Sequence, residues 1–179
     1  MATITGNTLT QTFPLSLQGA RFEQNDSSPL FPVGTVAEDS QGGQWIYVKS
    51  TAAIAQYDLC WVDETGFVAL TMLNATTPAA GRPVILGIAQ VAFPTGTTYG
   101  WLWRGPGGGV GVGLKVNALI NCVKDVALYA TATAGKVDDA ATTNYKIGGF
   151  TLTATEPGSG TTAIECYASI PLSLVQVNT

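Results

Sequence analysis

The feature that most constrains this chain is a two-residue alternation of apolar side chains, set out in short runs and interrupted every eight to twelve residues or so by glycine, proline or an Asx-type turn. Gln44-Trp-Ile-Tyr-Val-Lys49, Tyr57-Asp-Leu-Cys-Trp-Val62 and Phe67-Val-Ala-Leu-Thr-Met-Leu73 carry the pattern first. Tyr99-Gly-Trp-Leu-Trp-Arg104, Leu114 to Ile120, Val126 to Thr131, Ile147 to Ala154 and Ala163 to Ile170 continue it. Segments with another spacing are too rich in glycine and threonine to hold a long helix. The chain therefore reads as all-β, a compact barrel, β-tulip or sandwich-like domain.

Turn chemistry marks the connections. Asp63-Glu-Thr-Gly66 joins two runs as a hairpin, with Gly66 free to take positive φ, and Thr133-Ala-Gly-Lys136 makes a second turn. Val84 to Phe93 is the most apolar run and lacks clean alternation, which predicts burial on both faces. Gly87 inside it marks a bulge or a close backbone approach. Residues 1–40 differ from the rest. Isolated apolar anchors (Phe13, Leu15, Leu17, Phe22, Leu30, Phe31) stand among polar residues broken by Pro14, Pro29 and Pro32. This predicts an extended N-terminal arm over 1–40, followed by the β domain over 41–179.

Composition excludes several function classes. With 8 basic and 12 acidic residues the net charge is −4, so a nucleic-acid partner, which needs a basic surface, is not expected. No histidine is present, which removes imidazole acid–base catalysis and the commonest metal ligand. No run reaches the roughly 18 apolar residues of a membrane span, and the first residues lack the basic and apolar regions of a secretory signal. Neither a membrane partner nor export is expected. Cys60, Cys122 and Cys166 each lie in an apolar run and read as buried free thiols, with no paired spacing for zinc.

Local motifs add no catalytic reading. Gly105-Pro-Gly-Gly-Gly-Val-Gly-Val-Gly113 is followed by Leu114-Lys115 and lacks the Lys-Ser/Thr of a phosphate loop, so it reads as a loop or a glycine-rich crossing between strands. The carboxylate neighbours Glu38-Asp39, Asp63-Glu64 and Asp138-Asp139 sit in turn-like contexts, and adjacent residues on a strand face opposite ways. Asp138 and Asp139 would suit a calcium ion by ligand type, but the calcium-loop spacing is absent. The triplets Asn25-Asp-Ser27 and Asn74-Ala-Thr76 match a glycosylation sequon without a route to that machinery. The expectation is a protein that is not an enzyme, with no cofactor and no metal. Tyr99, Trp101 and Trp103 fall at i, i+2 and i+4 on one strand face, as core, as subunit interface or as a platform for a sugar ring.

Charge is scarce, at 11% against about 25% in ordinary soluble domains. Permanent assembly would hide much of the Thr/Gly/Ala-rich surface that results. The stretches Trp45 to Asp58, Gly87-Ile-Ala-Gln-Val-Ala-Phe93 with Tyr99-Gly-Trp101, and Leu128 to Asp139 resemble the capsid decoration, or cement, proteins of tailed bacteriophages. The resemblance covers roughly residues 34 to 170. It implies a β-barrel or β-tulip set as a homotrimer on the outer capsid surface of a virion, made in the host cytoplasm and bridging copies of the major capsid protein. It also implies that the arm reaches along the capsid. Phe13, Leu15, Phe22, Phe31, Tyr99, Trp101 and Trp103 are then the candidate capsid or subunit contacts. The rival expectations are a tail-tube, baseplate or fibre-base subunit and a carbohydrate-binding host-attachment module.

Overall fold

The computed structural model describes residues 2–6, 9–13, 22, 24–72, 84–109, 111–141, 145–158, 160 and 162–176. The strands are β1 (Ala2–Gly6), β2 (Leu9–Phe13), β3 (Val36–Glu38), β4 (Gln44–Ser50), β5 (Leu59–Asp63), β6 (Val68–Thr71) and β7 (Ile85–Ile88). Then follow β8 (Thr98–Gly105), β9 (Gly107–Gly108), β10 (Lys115–Ala118), β11 (Leu128–Ala130), β12 (Val137–Asp138), β13 (Tyr145–Leu152) and β14 (Thr162–Gln176). The fold is all-β, with no helix among the described residues.

Five strands close a barrel. β4 pairs antiparallel with β8 from Gln44↔Gly105 to Ser50↔Thr98, β8 meets β7 at Ile88↔Trp103, and β7 pairs with β5. β5 pairs with β6, and β6 returns to β4 in parallel at Lys49↔Val68. Closure removes the free edges that an open sheet would present. Alternate residues of all five strands fill the interior: Ile46, Val48, Cys60, Val62, Ala69 and Leu102 are buried together, with Ile85 packed against them. Gly87 is where two backbones approach closely, since a Cβ there would stand 2.8 Å from that of Leu102. The close approach expected from sequence is present, and its pairing with Cys60 carries no bulge.

The remaining strands pair in a second circuit. β10 pairs with β14, β14 with β13, β13 with β11 and β11 with β12, and β12 meets β10 in parallel at Ala118↔Val137. The fifteen-residue β14 also contacts β7 and β9, tying the two circuits into one twelve-stranded sheet. The glycine run is a crossing between strands. β9 lies against β14 so closely that a Cβ on Gly108, at φ +86°, would collide with the Cys166 carbonyl oxygen.

Turns follow the sequence with one correction. In the β5–β6 hairpin Asp63 Oδ1 accepts the Thr65 N–H at 2.8 Å, but Phe67 (φ 48°), and not Gly66, takes the left-handed conformation. The Phe67 ring packs where Gly34 has no side chain, a contact that offsets the backbone strain. The segment read as an arm over 1–40 has two parts. β1 and β2 form a sheet of their own, whereas Asp26 bridges to Tyr99 and β3 extends β4, so residues 24–38 lie on the barrel.

A buried polar clamp joins the circuits. Asp58, ahead of β5, accepts from Lys136 Nζ at 3.2 Å, from Asn117 Nδ2 at 2.9 Å and from the Ala55 N–H at 3.3 Å. Gly135, at φ +73°, leaves the space that the Asp58 carboxylate occupies, and its backbone bonds reach Leu59 and Met72. Nearby, the Gln90 side chain donates to the Lys115 carbonyl at 2.9 Å and accepts its N–H at 3.1 Å. Removing one partner of a buried, hydrogen-bonded ion pair strands the other. Asp58→Ala is expected to lower the unfolding free energy by about 3–5 kcal/mol, measured by urea denaturation, whereas a surface change such as Thr95→Ala should shift it by less than about 0.5 kcal/mol.

Candidate interaction site

The aromatic residues singled out in the sequence converge on the outer wall of the barrel. Register places Trp45 opposite Trp103, Tyr47 opposite Trp101 and Lys49 opposite Tyr99, so the stripe on β8 meets a second stripe on β4. Segment 22–33 then covers both. Phe22 stacks on Trp45 at 4.4 Å between ring centroids and meets Trp101 edge-on at 5.1 Å. Phe31 packs edge-on against Tyr47 at 5.4 Å and tilted against Trp101 at 5.5 Å. Offset and edge-to-face contacts of this kind add about 0.5–1.5 kcal/mol each beyond the buried area.

The polar tips of Trp45 and Tyr47 are satisfied within the chain, whereas Trp103 Nε1 is buried with no hydrogen-bond partner among the described residues. Trp45 Nε1 donates to Asp39 Oδ2 at 2.9 Å, and the other oxygen of Asp39 accepts the N–H groups of Gln41 and Gly43. The Tyr47 hydroxyl accepts the Leu30 N–H at 3.1 Å and donates to Asp26 at 3.3 Å. Burial raises the Tyr47 phenol above its ordinary range and the Asp26 charge adds to the shift, so the hydroxyl keeps the proton it donates.

The candidate contacts therefore divide. Phe22, Trp101 and Trp103 are 1%, 2% and 0% exposed and belong to the interior, which corrects their reading as capsid or subunit contacts and removes the sugar platform expected of Tyr99, Trp101 and Trp103. Tyr99 and Phe31 are half-buried at the edge of the cluster. Phe13 lies in β2 opposite Ala2, and Leu15 lies outside the described residues.

What remains open is a groove of about 590 Å³ beside Tyr99, bordered by residues 29–33, Lys49 and Gly66. Leu30 on its rim is 61% exposed. Further large apolar side chains reach solvent at Ile120, Val123 and Val126 in the turn after β10, and at Tyr167 and Ile170 on β14. Sequence reasoning passed over these because they sit inside or beside strand-like runs. The positive φ of Asn121 (63°) and Asp125 (57°), residue types that tolerate that region, is what turns the first group outward.

The acidic neighbours are spent on structure or stand apart from this surface: Asp39 and Asp63 fix turns, and Asp138 with Asp139 lies near Cys122. All three thiols are free and buried, and burial pushes those of Cys60 and Cys166 well above the ordinary range. Comparison with known protein families, with curated proteins and with solved structures returns no match. The aromatic cluster is thus core, and the exposed apolar side chains at Leu30, Ile120, Val123, Val126, Tyr167 and Ile170 stand apart from it. Phe22→Ala is expected to cost about 3–5 kcal/mol of stability, and Leu30→Ser less than about 0.5 kcal/mol; equal costs in thermal or urea unfolding would contradict this division into core and surface.

Proposed function

We propose that this chain is a structural protein of a tailed-bacteriophage head, a capsid decoration protein that binds the outside of the capsid as a homotrimer and bridges copies of the major capsid protein. The observation that supports it most is the β1–β2 hairpin. Its five register pairs form a two-stranded sheet to which no other described strand adds. An isolated two-stranded ribbon is marginal in water, and both of its outer edges carry unpaired backbone groups. Addition to a strand or apolar surface of a neighbouring protein satisfies both deficits.

The sequence of this segment fits that use. Residues 1–20 carry no charged side chain, and the register alternates Thr3↔Thr12 and Thr5↔Thr10 with Ala2↔Phe13, Ile4↔Gln11 and Gly6↔Leu9. The eight residues from Pro14 to Arg21 join the hairpin to Phe22, the first residue anchored on the barrel, and a chain of that length spans up to about 30 Å when extended. The attachment anchors are accordingly Phe13 and Leu15, together with Ile4 and Leu9. Each fully buried large apolar side chain contributes about 1.5–3 kcal/mol before ordering costs. A protein that binds the assembled lattice and not free subunits shifts lattice stability by mass action.

Two measurements test the reading. Quantitative mass spectrometry of purified particles should give a copy number near that of the major capsid protein, whereas a handful of copies would move the chain to the tail or fibre base. Deleting residues 2–20, and not the whole segment to residue 40 that includes Phe22, Phe31 and β3, should leave the melting temperature unchanged and abolish co-sedimentation with heads. Undiminished co-sedimentation of the truncated chain overturns the role of the hairpin.

A further inference from the structure

Asp138 follows Cys122 by sixteen positions, a spacing that matches no ligand motif, yet the fold brings them together. The parallel contact Ala118↔Val137, reinforced by the Leu119 N–H donating to the Val137 carbonyl at 2.9 Å, sets the turn after β10 beside the end of β12. The Cys122 sulfur and one oxygen from each of Asp138 and Asp139 then all lie within 4.8 Å of one another. We propose that Cys122, Asp138 and Asp139 form a site for a single borderline-soft divalent cation, Zn²⁺, with water as the remaining ligand. This site does not depend on the capsid reading.

Three observations carry it. The first is the geometry: donors around a tetrahedral zinc ion stand about 3.3–3.8 Å apart, and the three ligand atoms here already lie within 4.8 Å of one another, on one buried thiol and two half-buried aspartates. The second is the thiol. Cys60 and Cys166 donate to backbone carbonyls of Asp58 and Leu114. Cys122, equally buried at 0% exposure, makes no such bond among the described residues and instead faces two carboxylates; the Asp139 N–H beside its sulfur donates to Asp138 Oδ1 at 3.0 Å. The third is charge: among the described residues no lysine or arginine pairs with Asp138 or Asp139, and the buried Glu156 adds a further carboxyl near the sulfur.

The same surroundings disfavour charge on these groups. Burial, then Asp139, Asp138 and Glu156, push the Cys122 thiol up to about 12, and burial together with Asp139 raises the Asp138 carboxyl above its usual range. A divalent cation reverses this balance. The S–H bond breaks, its proton leaves to solvent, and the sulfur lone pair binds the metal. Thiolate ligation selects against Ca²⁺ and Mg²⁺, which require oxygen donors. The ion would pin the contact that closes the second strand circuit, where β10 and β12 share only one register pair.

The test uses the full chain, stripped with EDTA and titrated with Zn²⁺ by calorimetry and with Co²⁺ by absorption spectroscopy. One ion per chain is expected, with a sulfur-to-cobalt charge-transfer band and a raised melting temperature. Cys122→Ser should abolish the band. The half-exposed Asp139→Asn, which keeps side-chain shape should Cys122→Ser fold poorly, should weaken binding at least tenfold, and Asp63→Asn should leave it unchanged. Absence of the band in the parent chain, or equal binding by Asp139→Asn, overturns the site.

Discussion

The Asp58 carboxylate is the point on which the two halves of the sheet depend. It lies at the entry to β5 and is met by Lys136 from the β11–β12 turn and by Asn117 from β10, so one side chain of the first circuit is held by two elements of the second. A buried carboxylate stripped of water costs several kcal/mol unless such partners are in place. The clamp therefore enforces register. Only one arrangement of the circuits satisfies the charge, and Gly135 is the residue that leaves room for it.

Around that clamp the apolar core is built in two depths. The barrel interior takes Ile46, Val48, Val62 and Leu102, and the outward-facing alternates Trp45, Tyr47, Trp101 and Trp103 form part of a larger cluster that continues through Leu59, Leu86 and Ile88 into the second circuit. β4 and β8 are thus buried on both faces, which a single barrel in water would not allow. Segment 22–33 makes it possible on the aromatic side. Phe22 and Phe31 supply the second wall there, and this is why anchors that resemble an arm's in sequence belong to the domain itself.

Local order was legible in the sequence; closure was not. The period-two pattern located β4, β5, β6, β8 and β13, and turn residues located the hairpins at Asp63 and at Thr133 to Lys136. The close approach at Gly87 followed from a glycine in an apolar run. The contacts that close each circuit leave no such mark, because Lys49↔Val68 and Ala118↔Val137 are single parallel pairs set by the whole barrel. The cluster at Cys122 inherits that illegibility. For the β8 aromatics, alternation identifies a shared face but says nothing of what covers it, and only the path of residues 22–33 decides between core and contact surface.

The structure also sharpens what scarce charge means for this chain. Of the 12 acidic residues, Asp58 and Glu156 are buried, and Asp39 and Asp63 are engaged in turns. Of the 8 basic residues, Lys136 is drawn into the clamp. The charge left to hydrate the surface is smaller than composition implies, while Leu30, Val123, Val126, Tyr167 and Ile170 stand exposed on it. A lone monomer with that surface has little electrostatic protection against association. The assembly proposed above would cover these apolar positions, and the uncharged hairpin ahead of Phe22 could approach an acidic or a basic partner without a Coulomb penalty. On the proposed reading, solubility and attachment are one problem: a clamped barrel with little charge of its own would be kept in solution by the assembly it joins.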